Sequence, residues 1–265
     1  KGNATGLGGE FENINILIGS SSGNDSMTGR NANAKFLLRG SEANQYITGD
    51  TADFAGYILD FSGFEILNGG TAKDTFIFSA EGVFAGSING GLGIDTIDLS
   101  AASAKRDVVL TGSGNMDGFN GTITGLAGGF QNIDELVGTN QAGDSITGLN
   151  ASSTWSIGDT YRYISGGRTL VFSLFEKLMG GSGSDVFAFA GNGEFAGVID
   201  GGAGLDTLDY SAYSTPVNVN LAAGTATGLG GMFAGMEGLI GSARSDTLTG
   251  PEGGANFLIT GLNSG

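Results

Sequence analysis

Apolar and polar residues alternate along this chain in short runs. Asp74-Thr-Phe-Ile-Phe78, Asp95-Thr-Ile-Asp-Leu99, Asp185-Val-Phe-Ala-Phe189, Asp206-Thr-Leu-Asp-Tyr210 and Val217-Asn-Val-Asn-Leu221 change character from one residue to the next, the period of a strand with one buried face. Gly-Gly, Gly-Ser or Asn-Gly pairs precede most of these runs, as tight turns with positive φ require. No stripe of period 3.6 is sustained, and each interior glycine costs a helix about 1 kcal/mol against alanine. The pattern predicts an all-β chain of short strands.

The runs recur at fixed spacing, which is the mark of a repeat array. An aromatic followed by apolar residues three and six positions on, then a glycine, occurs five times: Phe11-Ile14-Leu17-Gly19, Phe61-Phe64-Leu67-Gly69, Phe130-Ile133-Leu136-Gly138, Phe172-Phe175-Leu178-Gly180 and Phe233-Met236-Leu239-Gly241. The glycine that closes each signature favours a bent strand at a coil corner over a helical turn. An aspartate answers each one: Asp25, Asp74, Asp144, Asp185 and Asp246. A longer module, Phe-x-Gly-x-Ile-x-Gly-Gly-x-Gly-x-Asp-Thr, runs from Phe84 to Thr96 and again from Phe195 to Thr207.

Asp74 and Asp95 lie 21 residues apart, as do Asp185 and Asp206; the gaps from Asp25 to Asp74 and from Asp95 to Asp144 are 49, and Asp74 to Asp185 is 111. With the long gaps read as two coils each, a coil takes about 20 to 24 residues. This predicts a parallel β-solenoid in which equivalent side chains stack in columns and bury one another. The alternative is a series of tandem β-sandwich domains, since 111 residues also suits an immunoglobulin-like module. Against it stand the 21-residue echo and a single tryptophan, Trp155. Residues 1–265 therefore read as one continuous solenoid and a fragment of a longer protein. Its long repeats span 11–129 and 130–232, with a third starting at 233–265, where Asn256-Phe257-Leu258-Ile259-Thr260-Gly261 echoes Lys35-Phe36-Leu37-Leu38-Arg39-Gly40.

Composition narrows the function classes. Gly is 52 and Pro 2 of 265 residues, and 17 Phe supply a core, so the chain is neither collagen-like nor a disordered linker. With no His and no Cys it lacks the means for a Ser-His-Asp or Cys-His triad and the usual zinc ligands. A net charge of −16 with no basic run argues against nucleic acid, and no apolar stretch reaches the roughly 20 residues of a membrane helix. Cations are the expected partners.

Candidate chemistry lies in three nonapeptide turns: Gly90-Gly91-Leu92-Gly93-Ile94-Asp95-Thr96-Ile97-Asp98, Gly201-Gly202-Ala203-Gly204-Leu205-Asp206-Thr207-Leu208-Asp209 and Gly180-Gly181-Ser182-Gly183-Ser184-Asp185-Val186-Phe187-Ala188. Each fits G-G-x-G-x-D-x-U-x and resembles the RTX calcium-binding repeat. The wider pattern looks like the β-strand repeats of giant secreted bacterial exoproteins and adhesins. The resemblance implies calcium held by Asp74, Asp95, Asp185 and Asp206 with Gly91, Gly93, Gly181, Gly183, Gly202 and Gly204 shaping the loops. The copies here are single where RTX copies run in tandem, and at two related turns Gln45 and Arg162 stand in place of the aspartate. The other reading of the aspartates is that their carboxylates bond backbone N–H groups in the turns. Carboxylates stacked about 5 Å apart at an effective dielectric of about 20 repel by roughly 3 kcal/mol, so a buried pair wants a cation.

The expected function is a non-enzymatic one: a rod segment of an extracellular or bacterial cell-surface adhesin or fibre. Its expected partners are its own copies, neighbouring repeats of the same long protein and cell-surface glycans. The alternative is a polysaccharide-acting β-helix enzyme, which works with carboxylates and an Arg or Lys base. The irregular segments 101–115 and 150–168 carry no carboxylate pair beside a base.

Overall fold

The structure, a computed structural model, describes residues 2–5, 7, 10–48, 57–251 and 253. All regular elements among them are strands. The larger sheet has thirteen, in spatial order β27 (Gly238–Ile240), β23 (Thr207–Tyr213), β21 (Asp185–Gly191), β17 (Ser153–Ile157), β18 (Tyr161–Ser165), β19 (Arg168–Ser173), β15 (Glu135–Val137), β11 (Thr96–Asp98), β9 (Asp74–Phe78), β5 (Ala34–Leu38), β6 (Asn44–Thr48), β7 (Ile58–Ser62) and β3 (Ile16–Ile18). The smaller has ten: β26 (Phe233–Ala234), β22 (Val198–Gly202), β20 (Lys177–Gly181), β16 (Ser145–Thr147), β12 (Asp107–Ser113), β13 (Phe119–Ile123), β14 (Leu126–Ile133), β10 (Ser87–Gly91), β8 (Ile66–Gly70) and β4 (Ser26–Thr28). A separate sheet holds β25 (Thr225–Ala226), β24 (Asn218–Asn220) and β28 (Thr247–Thr249), and β1 (Gly2–Asn3) pairs with β2 (Glu10–Phe11).

The chain alternates between the two large sheets. β8 in the smaller leads to β9 in the larger, then to β10 and β11, and each strand lies parallel to its predecessor in the same sheet, with Leu67 beside Ile88 and Phe76 beside Ile97. One such coil is 21 residues, the short spacing of the aspartates. The fold is thus an all-β solenoid of stacked coils. Its sheets run unbroken from one long repeat into the next through the parallel pairs β10–β14, β11–β15 and β12–β16, a continuity that independent sandwich domains lack.

The long gaps are not pairs of stacked coils. Each contains a single coil with a Z-shaped meander folded into one sheet: β5–β6–β7, β12–β13–β14 and β17–β18–β19. The chain overshoots its place in the stack, returns on an antiparallel strand and lays a third strand in the position it skipped. Both large sheets are therefore mixed. This relocates Gln45 and Arg162, expected at turns that had lost an aspartate: they lie inside β6 and β18, the antiparallel middle strands. The echo at 256–261 lies outside the described residues.

The core is a set of columns between the sheets. Phe36 stacks on Phe76 at 4.7 Å, Trp155 on Phe187 at 5.7 Å and Phe189 on Tyr210 at 4.8 Å between ring centroids, each pair on adjacent parallel strands. Side chains one coil apart meet at strand spacing, so a coil buries its apolar face only against its neighbours. The five Phe-x-x-apolar-x-x-Leu signatures are the corners where the chain leaves one sheet for the other. The second residue after the aromatic takes a left-handed conformation in all five: Asn13 (φ 60°), Gly63 (70°), Asn132 (53°), Leu174 (59°) and Gly235 (60°). That one left-handed residue turns the strand and accounts for the spacing of three without a helix.

Candidate functional site

The aspartates that follow the glycine turns point into the solenoid. Asp74, Asp95, Asp144, Asp185 and Asp206 are fully buried. Their carboxylates and the acids of the corners form a ladder along the stack, in which the backbone N–H at the start of one strand donates to a carboxylate on the next strand. Asp74 N–H donates to Asp95 Oδ1 at 2.8 Å, and Asp185 N–H to Asp206 Oδ1 at 2.8 Å. Further rungs join Asp95 N–H to Asp134 Oδ2 (3.1 Å), Asp144 N–H to Glu176 Oε2 (2.9 Å), Asp206 N–H to Glu237 Oε2 (2.8 Å) and Asp25 N–H to Glu65 Oε2 (2.9 Å). The structure therefore brings Asp74 to Asp95 and Asp185 to Asp206, the two pairs whose spacing placed them on adjacent coils.

The ladder divides into two chemical classes according to the residue after the signature glycine. Where that residue is Ser or Thr, its hydroxyl completes the carboxylate: Thr139 donates both N–H and Oγ1–H to Asp144 Oδ2 at 2.6 and 2.7 Å, Ser20 does the same for Asp25, and the Ser242 hydroxyl reaches Asp246. Where it is a second glycine, no hydroxyl is there to donate. The Oδ2 atoms of Asp74, Asp95, Asp185 and Asp206 are buried without a hydrogen-bond partner, and Asp74 Oδ1 is equally bare. The four residues singled out as calcium ligands are thus the four with an orphaned oxygen.

Glycine is required at these turns by contact. A Cβ on Gly69, Gly90, Gly180 or Gly201 would stand 2.6 Å from the Oδ2 of Asp74, Asp95, Asp185 or Asp206 respectively, inside van der Waals distance. The second glycine serves the stacking of turn on turn. Leu92 N–H bonds Gly70 O and Ala203 N–H bonds Gly181 O, both at 3.0 Å, while a Cβ on Gly91 or Gly202 would collide with those same carbonyls. Gly93, Gly183 and Gly204 pack equally closely on the backbone of the turn one coil away.

Burial raises the acidity constants of these groups. Desolvation pushes the Asp74 carboxyl up to about 6, the Ala34 amide opposing it. It pushes Asp95 up to about 7, where the Asp74 N–H opposes the shift and the charges of Asp74, Asp134 and Asp117 add to it. Asp185 and Asp206 move in the same direction for the same reason, held back by the Ser153 hydroxyl and the Asp185 N–H respectively. A buried carboxylate oxygen with no donor is satisfied by a proton or by a cation. Among the described residues no three acidic side chains converge as a metal cluster, so a cation here would draw most of its oxygens from the backbone of the turns.

Two features of the ladder escaped the sequence reading. The corner acids Glu65, Asp134, Glu176 and Glu237 receive rungs, and the signal was an acid four residues after the aromatic in four of the five signatures, with Asn15 in the fifth. An asparagine ladder also links coils of the smaller sheet: Asn132 Nδ2 donates to Asn89 Oδ1 (2.7 Å), Asn89 Nδ2 to Asn68 Oδ1 (3.2 Å) and Asn68 Nδ2 to Thr28 Oγ1 (3.4 Å). Its trace in the sequence is the recurring Asn-Gly after Leu67 and Ile88.

No known protein family, no curated protein and no solved structure matches the chain. The functional reading therefore rests on the residues and their geometry.

Proposed function

We propose that this chain is a rod segment of a secreted bacterial adhesin or surface fibre, acting by length and stiffness at the cell surface. The observation that carries the reading is the pair of sheets, thirteen and ten strands long, stacked without interruption through both long repeats. At about 4.8 Å per strand the larger spans roughly 60 Å, and the interlocked columns make bending costly. Its partners on this reading are its own copies, neighbouring repeats of a longer chain and cell-surface glycans. Calcium is the proposed rigidifier at Asp74, Asp95, Asp185 and Asp206, and the four orphaned carboxylate oxygens support it.

Small-angle scattering of the purified chain tests the rod, with glycan depolymerisation assays as a companion. An elongated particle that leaves acidic and neutral glycans intact is the expected result. A compact particle, or cleavage of a glycan, would overturn it.

A further inference from the structure

The two ends of the solenoid expose the positions that its middle buries. β3 and β4 at one end, β15 and β16 in the middle, and β27 and β28 at the other end carry the same corner signature and the same aspartate turn. In the middle, Ile133, Leu136 and Ile146 are fully buried because β11 and β12 of the preceding repeat lie against β15 and β16. At the ends the equivalent Ile14 is 46% exposed, Leu239 37% and Leu248 45%. The ends are faces of a coil with no neighbour among the described residues.

The polar groups of the two faces are complementary. At the internal junction Glu135 N–H donates to Asp95 O (3.0 Å), Leu99 N–H to Val137 O (2.9 Å) and Arg106 N–H to Asp144 Oδ1 (2.6 Å). The corresponding groups are Ile16 N–H, Ile18 O and Asp25 Oδ1 on the β3–β4 face, and Glu237 O, Gly241 N–H and Asp246 N–H on the β27–β28 face. None of these six has a partner among the hydrogen bonds of the described residues. One face offers a donor wherever the other offers an acceptor.

We propose that these faces join copies of the chain head to tail, with β3 of one copy adding in parallel to β27 of another and β4 to β28, so that Leu17 lies over Leu239, Met27 over Leu248 and Asp25 over Asp246. The occupant is a second copy of this chain, because the junction repeats one the chain already makes between its own long repeats. The interface is heterologous and unclosed, so it extends copies into a fibre instead of closing a dimer. The inference rests on the rod reading and adds to it the surface by which rods are joined.

Sedimentation velocity and negative-stain microscopy across rising concentration test it, using the chain and two variants each blocked at one end. Ile16→Pro removes the N–H that the β3 edge offers, and Leu239→Lys puts a charge where the junction would bury an apolar side chain. Circular dichroism melts confirm that each variant folds, with Leu248→Lys as a second block of the same end. The chain itself should form linear series, each variant alone should stay a monomer, and an equal mixture of Ile16→Pro and Leu239→Lys should stop at dimers. Monomers at every concentration, or chains still formed by either variant, would overturn the junction. A blocked monomer that scatters as a rod would leave the rod reading standing whichever way assembly falls, and a compact one would remove it.

Discussion

At the scale of single residues, the second glycine of each Gly-Gly turn decides how a buried carboxylate is satisfied. Asp95→Asn keeps an oxygen for Asp74 N–H and removes a charge whose other oxygen has no donor, so in EDTA at pH 8 its melting temperature should equal or exceed that of the unaltered chain. Asp144→Ala strips the acceptor from Arg106 N–H and from both donors of Thr139, and should lower stability by about 1–3 kcal/mol. The pH dependence follows from the raised values. The unfolded carboxyls titrate near 3.8, whereas in the fold Asp74 holds its proton to about 6 and Asp95 to about 7. Between those limits the folded chain binds more protons than the unfolded one, so its stability is full below about 4 and is lost as the pH rises through 6 to 7. A melting temperature in EDTA that climbs from pH 8 to pH 5 is the expected result, and one that falls over that interval contradicts the orphaned carboxyls. With calcium as the rigidifier, millimolar calcium but not magnesium should raise the melting temperature at pH 8, and the increment should shrink at pH 5 and in Asp95→Asn. The four aspartates were legible because they end a repeated glycine turn. Their burial was not, since the same residue before a strand serves equally well as a solvated turn former, and only the depth of the turn separates the two.

At the scale of elements, the corner is the unit that makes two sheets from one chain. Four of the five left-handed corner positions are Asn or Gly, which tolerate that conformation, and the fifth is Leu174 at φ 59° with its side chain exposed. Left-handed backbone costs an ordinary L-residue about 1–2 kcal/mol. Leu174→Asn should therefore stabilise the chain by about 0.5–1 kcal/mol, measurable by urea titration, and a loss of stability would show that Leu174 has a packing role the corner does not explain. In the core, Phe187→Ala removes the ring stacked on Trp155 and should cost about 3–5 kcal/mol. The strands at Asp74, Asp95, Asp185, Asp206 and Val217 were readable from alternation because each presents one face to the core. The meanders were not. β6 and β18 alternate like any other strand, and their direction depends on where the chain re-enters the sheet, a long-range outcome that spacing alone cannot encode.

At the scale of the whole molecule, the order of strands from β3 to β14 recurs from β15 to β26, so β3, β15 and β27 occupy equivalent places in the thirteen-stranded sheet with five strands between each pair. The solenoid was legible in the 21-residue echo; the 49-residue gaps misled because a coil with a meander is about as long as two plain coils. The central claim is that these places lie on one straight stack. The chain has no cysteine, so spin labels can be set cleanly at Ile18→Cys, Val137→Cys and Ile240→Cys, which are in corresponding positions of the three strands. Pulsed electron–electron distance measurement should then give about 29 Å from 18 to 137 and from 137 to 240, and about 58 Å from 18 to 240, six and twelve strand spacings of about 4.8 Å. A distance from 18 to 240 well short of the sum of the other two would show that the sheet does not extend as a rod, and the account would fail at its foundation.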